Sequence, residues 1–128
     1  MSRFKHIVDQ DPQQVQQQNL PPDWPTTFPK PIVGLDRDGV INIDRGSYIT
    51  DPDDWEPIPE SLEAIRMLRL KRYKVVILTN QGGITKKEQT REQVEAIHQR
   101  MFEVFGNAGI YSIDGLLYSE SSLKEDYF

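Results

Sequence analysis

Two kinds of segment alternate between residues 32 and 119, and this alternation restricts the possible folds more than any other feature of the chain. IVGLD (32–36) and KVVILT (74–79) are apolar runs too short for a helix, and turn residues follow each of them. Each predicts a buried strand, and IDGLLYS (113–119) is a third candidate. The order strand, helix, strand, helix, strand is typical of an α/β domain with a parallel sheet.

Amphipathic helices are predicted between these strands. The first, PESLEAIRMLRLKR (59–72), has proline in its first turn, an acidic start, a basic end, and Leu62, Ile65 and Leu68 at helical spacing. The second begins after Thr90, where Gln93 completes a capping-box pattern. Its apolar face comprises Val94, Ile97, Met101, Phe105 and Ala108, and Gly106 and Gly109 end it.

Residues 1–31 differ in composition from the rest of the chain. They begin with a glutamine-rich stretch, and five prolines lie between residues 21 and 31. Proline removes backbone donors and interrupts both helices and ladders, so no long element is expected here. We therefore predict an extended arm over residues 1–31, followed by one domain over residues 32–128.

Charge and composition exclude several classes of function. A net charge of -5 with scattered basic residues argues against a nucleic-acid partner or an anionic membrane surface. The absence of cysteine excludes disulfides and thiolate metal sites. The N-terminus lacks an apolar signal core, and no segment approaches the roughly 18 apolar residues of a spanning helix, so a cytoplasmic location is expected.

Polar clusters follow the first two predicted strands: DRDG (36–39) and TNQGG (79–83). Open parallel sheets bind ligands at the carboxyl ends of their strands, where these clusters would meet. Alternate residues of an extended segment point the same way, so Asp36 and Asp38 face one crevice while Arg37 faces away. Two such carboxylates repel unless a cation separates them, and hard oxygen ligands suit Mg²⁺, which also neutralises a phosphate.

This arrangement suggests a division of roles in phosphoryl transfer. Asp36 is the predicted nucleophile, forming an aspartyl phosphate, and Asp38 the predicted acid/base. Gly39 leaves room for a turn, so that the amides around Arg37 and Asp38 point at phosphate oxygens. Thr79 offers a hydroxyl and Asn80 an amide to the phosphoryl group, while Gln81 shapes the loop beside them. Either motif alone is a weak signal; a lone DxDG is more often a turn or a calcium-type loop.

The sequence resembles the haloacid dehalogenase superfamily of phosphohydrolases. DRDGVIN is similar to its first motif and TNQGGI to its second, and GSY (46–48) with DDWEPIPE (53–60) resembles the branch of heptose bisphosphate and histidinol phosphate phosphatases. The resemblance implies a Rossmann-like three-layer sandwich with residues 40–56 as a flap. It also implies Mg²⁺ ligation by Asp36 and by the Asp38 backbone carbonyl, and a phosphate grip by Thr79 and Asn80.

Departures from the family pattern occur after the third strand. LLYSESSLKEDYF (116–128) contains none of the cysteine and histidine ligands of the zinc loop common in this branch, so zinc is not expected. A third-motif lysine and a fourth-motif acidic ligand are not matched either, and Lys124 lacks the usual context. We expect a fragment of a longer phosphatase, rather than a chain completed by a partner or a relative that binds without turnover, because both aspartates are retained.

The predicted function is Mg²⁺-dependent hydrolysis of a small phosphorylated metabolite, such as a heptose bisphosphate. Two alternatives stay open: a polynucleotide 3'-phosphatase, which shares a similar second motif, and a noncatalytic binding or assembly fragment. His98 is expected to face solvent on the second helix. Trp55 and Tyr48 form either an apolar wall facing substrate or a packing contact of the flap.

Overall fold

A parallel four-stranded sheet forms the centre of the protein. The computed structural model describes residues 31–121 and, by their backbone alone, residues 6–8. The strands are β1 (His6–Val8), β2 (Ile32–Leu35), β3 (Lys74–Asn80) and β4 (Gly115–Ser119), and their order across the sheet is β1-β4-β3-β2. Every neighbouring pair is parallel. The three strands predicted from sequence are confirmed, with ends displaced by one or two residues.

Helices lie between the later strands, as predicted. Helix α1 spans Pro59–Leu70 and helix α2 spans Arg91–Asn107. The capping box at the start of α2 is complete, since the Thr90 side chain accepts from Gln93 N while the Gln93 side chain accepts from Thr90 N. No helix in the described residues is long and apolar enough to cross a membrane.

Strict alternation along β3 separates the two faces of the sheet. Val75 and Ile77 are fully buried, and they share one core cluster with α1 and α2 residues such as Ile65 and Met101. Val76 and Leu78 point to the other face, against Leu117 of β4. Within residues 31–121 both helices therefore pack on a single face, forming two of the three layers that the resemblance implied.

Strand β1 is an element that sequence reasoning did not anticipate. It lies inside the segment predicted as an extended arm, yet it pairs in parallel with β4, from His6↔Leu116 to Val8↔Tyr118. Strand β1 is only three residues long, which is compatible with the expectation that this segment forms no long element. The remainder of the predicted arm, residues 1–5 and 9–30, lies outside the described residues.

A buried carboxylate joins the starts of β3 and β4. Asp114 Oδ2 accepts from Val75 N at 2.8 Å and from Arg69 Nη1 at 2.6 Å, and Asp114 N donates to Val75 O at 2.8 Å. The Asp114 side chain is 8% exposed and that of Arg69 27%. The ion pair therefore anchors the end of α1 to the edge of the sheet opposite the predicted site.

The segment between β2 and α1 is held against the core. A short 3₁₀ helix, Pro52–Asp54, interrupts it. Ile43 N donates to Glu56 O at 2.9 Å and Ile58 N to Ile41 O at 2.8 Å, so both ends are fixed by backbone bonds. Trp55 is fully buried in the main core cluster, which decides between the two alternatives for this residue in favour of packing.

Candidate active site at the strand ends

The two polar clusters meet at the carboxyl edge of the sheet. Strands β2 and β3 pair in register up to Leu35↔Ile77, so the residues that follow β2 leave the sheet beside the last residues of β3. A hydrogen bond joins the two exits directly, because Gln81 Nε2 donates to Asp38 Oδ2 at 3.1 Å. The expectation that DRDG and TNQGG come together is confirmed.

A sharp turn follows Asp36 and places the second aspartate. The backbone N–H groups of residues 40, 41 and 42 all donate to Arg37 O, at 2.8–3.2 Å, and Gly39 N donates to Asn42 O at 2.7 Å. Gly39 has φ of +83°, a conformation that a residue with a Cβ rarely adopts. The predicted role of this glycine in the turn matches its observed geometry.

Three side chains hold the Asp38 carboxylate. Oδ1 accepts from Arg37 Nε at 3.0 Å, from Arg37 Nη2 at 2.8 Å and from Asn42 Nδ2 at 3.1 Å, while Oδ2 accepts from Gln81. The side chain nevertheless remains 32% exposed. Asp38 is thus oriented by fixed donors on one side and accessible on the other.

Asp36 is accessible, and its pKa is raised. Arg37 N donates to Asp36 Oδ1 at 2.8 Å. Partial burial, the largest effect, raises the pKa of Asp36 above its ordinary value, and the hydrogen bond from Arg37 N opposes it. Among the nearby charges, Asp38 and Asp44 raise this pKa and the Arg37 guanidinium lowers it. The net result is a raised pKa, with burial as the largest cause.

The Arg37 side chain does not line the cavity, in agreement with the expectation that it faces away from the crevice. It is 1% exposed, and its guanidinium lies behind Asp38. Its backbone N–H donates to Asp36 Oδ1, so in this structure Arg37 contributes to the site by holding the two aspartates. An arginine buried at this point needs acceptors, and the neighbouring carboxylate supplies one.

His98 was expected to face solvent, and this prediction is wrong. The residue is fully buried on α2, and its Nε2 lies 3.0 Å from Arg37 Nη1. The buried face of α2 is wider than its apolar residues indicated. It includes a polar residue next to Ile97, because the buried Arg37 guanidinium provides His98 with a hydrogen-bond partner. Spacing alone did not carry that information.

Residues at the end of β3 complete the opposite side of the site. Thr79 is 1% exposed and its Oγ1 accepts from Gln81 Nε2 at 2.9 Å. Gln81 N donates to Ser119 O at 2.8 Å, so Gln81 joins the ends of three strands rather than only shaping a loop. Asn80 lies at the same edge and lines the adjoining cavity.

A cavity of about 360 Å³ opens beside Asp38. It is lined by Asp38, Asp44, Gly46, Ser47, Tyr48, Ile49, Asn80 and Gln81. Tyr48 is 36% exposed there, with Lys86 Nζ 5.8 Å from the centroid of its ring. The segment predicted as a flap therefore supplies one wall, and the strand ends supply the other.

Sequence reasoning did not single out Asn42 or Asp44. Asn42 is fully buried and donates to Asp38, and Asp44 lines the cavity. The spacing of Asn42, four residues after Asp38 and just beyond a glycine turn, is a weak signal for such a contact. Asp44 follows two residues later on the same loop, with no separate signal of its own.

The donor set at the site fits magnesium better than zinc. Among residues 31–121, no group of three or more histidine, cysteine, aspartate or glutamate side chains could enclose a metal ion. Asp36 and Asp38 offer oxygen atoms only. Mg²⁺ is commonly held by one or two carboxylates with water and substrate phosphate completing its shell, whereas structural zinc takes four nitrogen or sulfur ligands.

Comparison with curated proteins finds phosphatases of similar sequence. D-glycero-beta-D-manno-heptose-1,7-bisphosphate 7-phosphatases from Pseudomonas aeruginosa and Vibrio cholerae are 44% and 39% identical over 75 and 89 residues, or 59% and 70% of this chain. These stretches represent 42% and 47% of the two enzymes, so the chain spans less than half their length.

Solved structures show the same likeness. The D,D-heptose 1.7-bisphosphate phosphatase from B. bronchiseptica, complexed with magnesium and phosphate, superimposes with a TM-score of 0.67 at 31% identity, covering 75% of this chain and 52% of that one. The enzyme from Burkholderia thailandensis gives 0.53 at 38% identity, covering 69% and 51%.

A family description matches most of the described domain. The sequence model for "Polynucleotide kinase 3 phosphatase" matches residues 31–118, from just before β2 into β4. The match includes both aspartates and the whole second polar cluster. The chain belongs to this family, within the haloacid dehalogenase superfamily whose motifs its sequence resembles.

Proposed function

We propose that this chain carries the nucleophile and acid/base of a Mg²⁺-dependent phosphomonoesterase acting on a small sugar bisphosphate, with a heptose 1,7-bisphosphate as the first candidate. The observation that supports it most strongly is an accessible Asp36 next to an Asp38 whose carboxylate is held by Arg37, Asn42 and Gln81. The names of the heptose phosphatases that the chain resembles support the choice of substrate.

The proposed reaction has two displacements. An Asp36 carboxylate oxygen attacks phosphorus while Asp38 gives a proton to the leaving sugar oxygen, forming an aspartyl phosphate and the free alcohol. Asp38 then takes a proton from a water that attacks the same phosphorus, and Asp36 is released with inorganic phosphate. Asp38 Oδ1 stays paired with Arg37 throughout, and Oδ2, facing Gln81, carries the proton on its second lone pair.

Magnesium would be held by the Asp36 carboxylate and by Asp38. When bound, it supplies charge neutralisation for the phosphoryl oxygens. The chain's own contribution is positional: Asn80 at the end of β3 lines the cavity, Thr79 beside it is bonded through its hydroxyl to Gln81, and the turn after Asp36 places Asp38 in the cavity wall.

A second candidate activity, removal of a 3'-phosphate from a polynucleotide, is favoured by the family match over residues 31–118. The net charge of -5 weighs against it, because nucleic-acid affinity depends mainly on neutralising phosphates with basic side chains. The two candidates differ in a single measurable property, the substrate that is turned over.

The experiment is phosphate release by the purified 128-residue chain, with and without Mg²⁺. The panel contains heptose 1,7-bisphosphate, histidinol phosphate and a 3'-phosphorylated oligonucleotide. We expect metal-dependent release from the heptose bisphosphate and a loss of at least about 10³-fold in Asp36→Asn. Asp53→Asn is the matched control, since Asp53 is an exposed carboxylate on the 3₁₀ helix.

Turnover of the oligonucleotide alone would replace the sugar phosphate assignment with the second candidate. A folded chain that turns over nothing would refute catalysis by this chain. Calorimetric titration with inorganic phosphate and Mg²⁺ would then test the noncatalytic alternative, and addition of a segment carrying a lysine and an acidic ligand would test completion by another chain. The arm boundary at residue 31 and the cytoplasmic location stay predictions.

A further inference from the structure

The buried contact between α2 and the turn after β2 has no part in the reaction described above. Arg37 and His98 are 61 positions apart in sequence and are 1% and 0% exposed. Arg37 Nη1 lies 3.0 Å from His98 Nε2, while Arg37 Nε and Nη2 both point to Asp38 Oδ1. One guanidinium therefore connects a histidine on the helix with the carboxylate at the site.

The chemistry of the two groups determines which atom donates. A guanidinium has N–H donors on all three nitrogens and no acceptor, so His98 Nε2 must accept from Arg37 through its lone pair. The ring is consequently neutral, with its proton on Nδ1. The Tyr118 ring meets the imidazole edge-on, with centroids 5.3 Å apart and planes at 62°, which restricts rotation of the imidazole.

We propose that His98 is a positioning residue, which fixes the Arg37 guanidinium so that Arg37 holds the Asp38 carboxylate in its working orientation. Asp38 stands on a turn and is 32% exposed, so its own backbone does not determine the direction of the carboxylate. The planar guanidinium can fix the direction of the Asp38 carboxylate only if the guanidinium itself is held in place. His98 holds it by accepting a hydrogen bond from Nη1, the nitrogen that does not face Asp38. The catalytic consequence rests on the proposed phosphatase function; the contact itself does not.

A histidine that merely fills the core would behave differently from one that accepts a hydrogen bond, and two substitutions separate these roles. His98→Gln places an amide oxygen near the position of Nε2 and keeps the acceptor. His98→Phe keeps a ring of similar size and removes the acceptor. Both are measured in the full chain with the best substrate of the panel, and their unfolding in urea is recorded alongside.

We expect His98→Phe to lower kcat by about 10- to 100-fold, the effect typical of a misplaced reacting group, with KM changed by less than about threefold. His98→Gln should keep kcat within about threefold of the parent chain. Equal kcat values for the two variants, or losses that follow their unfolding midpoints, would overturn the proposal.

Nuclear magnetic resonance tests the same contact without activity. Long-range ¹H–¹⁵N correlation in the folded chain should show His98 with Nε2 unprotonated and Nδ1 protonated, and the Asp38 ¹³Cγ resonance should move in His98→Phe but not in His98→Gln. A proton on Nε2, or an Asp38 resonance indifferent to both changes, would refute the contact. Absence of turnover combined with these shifts would count against the phosphatase function alone.

Discussion

Replacing Asp114 tests how much the sheet depends on its buried carboxylate. In Asp114→Ala, Val75 N loses its 2.8 Å acceptor at a residue that is fully buried, which costs about 1–3 kcal/mol. Loss of the 2.6 Å bond from Arg69, whose side chain is 27% exposed, adds about 1 kcal/mol after allowance for solvent screening. We expect a total loss of about 3 kcal/mol in the free energy of unfolding.

The assay is urea unfolding at pH 7, followed by circular dichroism. Asp114→Asn keeps an oxygen acceptor for Val75 N and removes only the charge, so it should lose about 1 kcal/mol. Glu63→Ala is the control, because Glu63 and Arg66 form an exposed ion pair on α1 whose removal should leave the midpoint unchanged. An alanine variant as stable as the parent, or an asparagine variant as damaged as the alanine variant, would refute the reasoning.

Three other predictions concern backbone space, ionisation and capping. Gly83→Ala should lose about 1–3 kcal/mol of unfolding free energy in urea, because a Cβ there would lie 2.6 Å from Gln89 Cγ. Gly106→Ala should gain about 0.5–1 kcal/mol, because Gly106 lies in α2 with open space around it. Equal effects of the two substitutions would contradict the packing argument. Burial raises the pKa of Tyr118 from 10.0 to about 12, so the unfolded chain loses this proton first and stability falls between those pH values, by about 2–3 kcal/mol. Tyr118→Phe should lessen that alkaline loss in pH-dependent unfolding, and an unchanged pH profile would disprove the assignment. Thr90→Ala should cost about 1 kcal/mol by breaking the capping box, as measured by thermal unfolding; no change would show that the cap is dispensable.

Local pattern was sufficient for most of the fold. The continuous apolar run KVVILT (74–79) predicted a buried strand, and the Thr90 cap marked the start of α2. Both are short-range properties, set by side-chain period and by backbone donors at a helix end. The meeting of the two polar clusters also followed, because parallel neighbours share an edge.

Long-range contacts were not predictable in the same way. The burial of His98 depends on an arginine 61 residues away, and that arginine is buried because the turn after Asp36 brings it beneath the site. Similarly, β1 is a strand because β4 presents a free edge to it, whereas its own surroundings in sequence argue for an irregular segment. In both cases the decisive neighbour is distant in sequence.

The pKa of Tyr118 shows how closely α2 and β4 share one electrostatic environment. Burial is the largest cause of the raised pKa; the charges of Glu95 and Glu120 raise this pKa further, and the charge of Arg91 lowers it. Arg91 also donates to both oxygens of Glu120, at 2.5 and 2.7 Å. The start of α2 and the exit of β4 are thereby fixed to each other on the side of the sheet where His98 lies.

The position of Gln81 has a consequence for how the protein opens. Its side-chain amide donates to Asp38 and Thr79, and its backbone N–H donates to Ser119, so one residue belongs to the ends of β2, β3 and β4 at once. The Gln81 backbone N–H can reach solvent only if the ends of β3 and β4 separate, because its acceptor, Ser119 O, lies on the neighbouring strand. Amide exchange at Gln81 should accordingly be as slow as in the middle of β3.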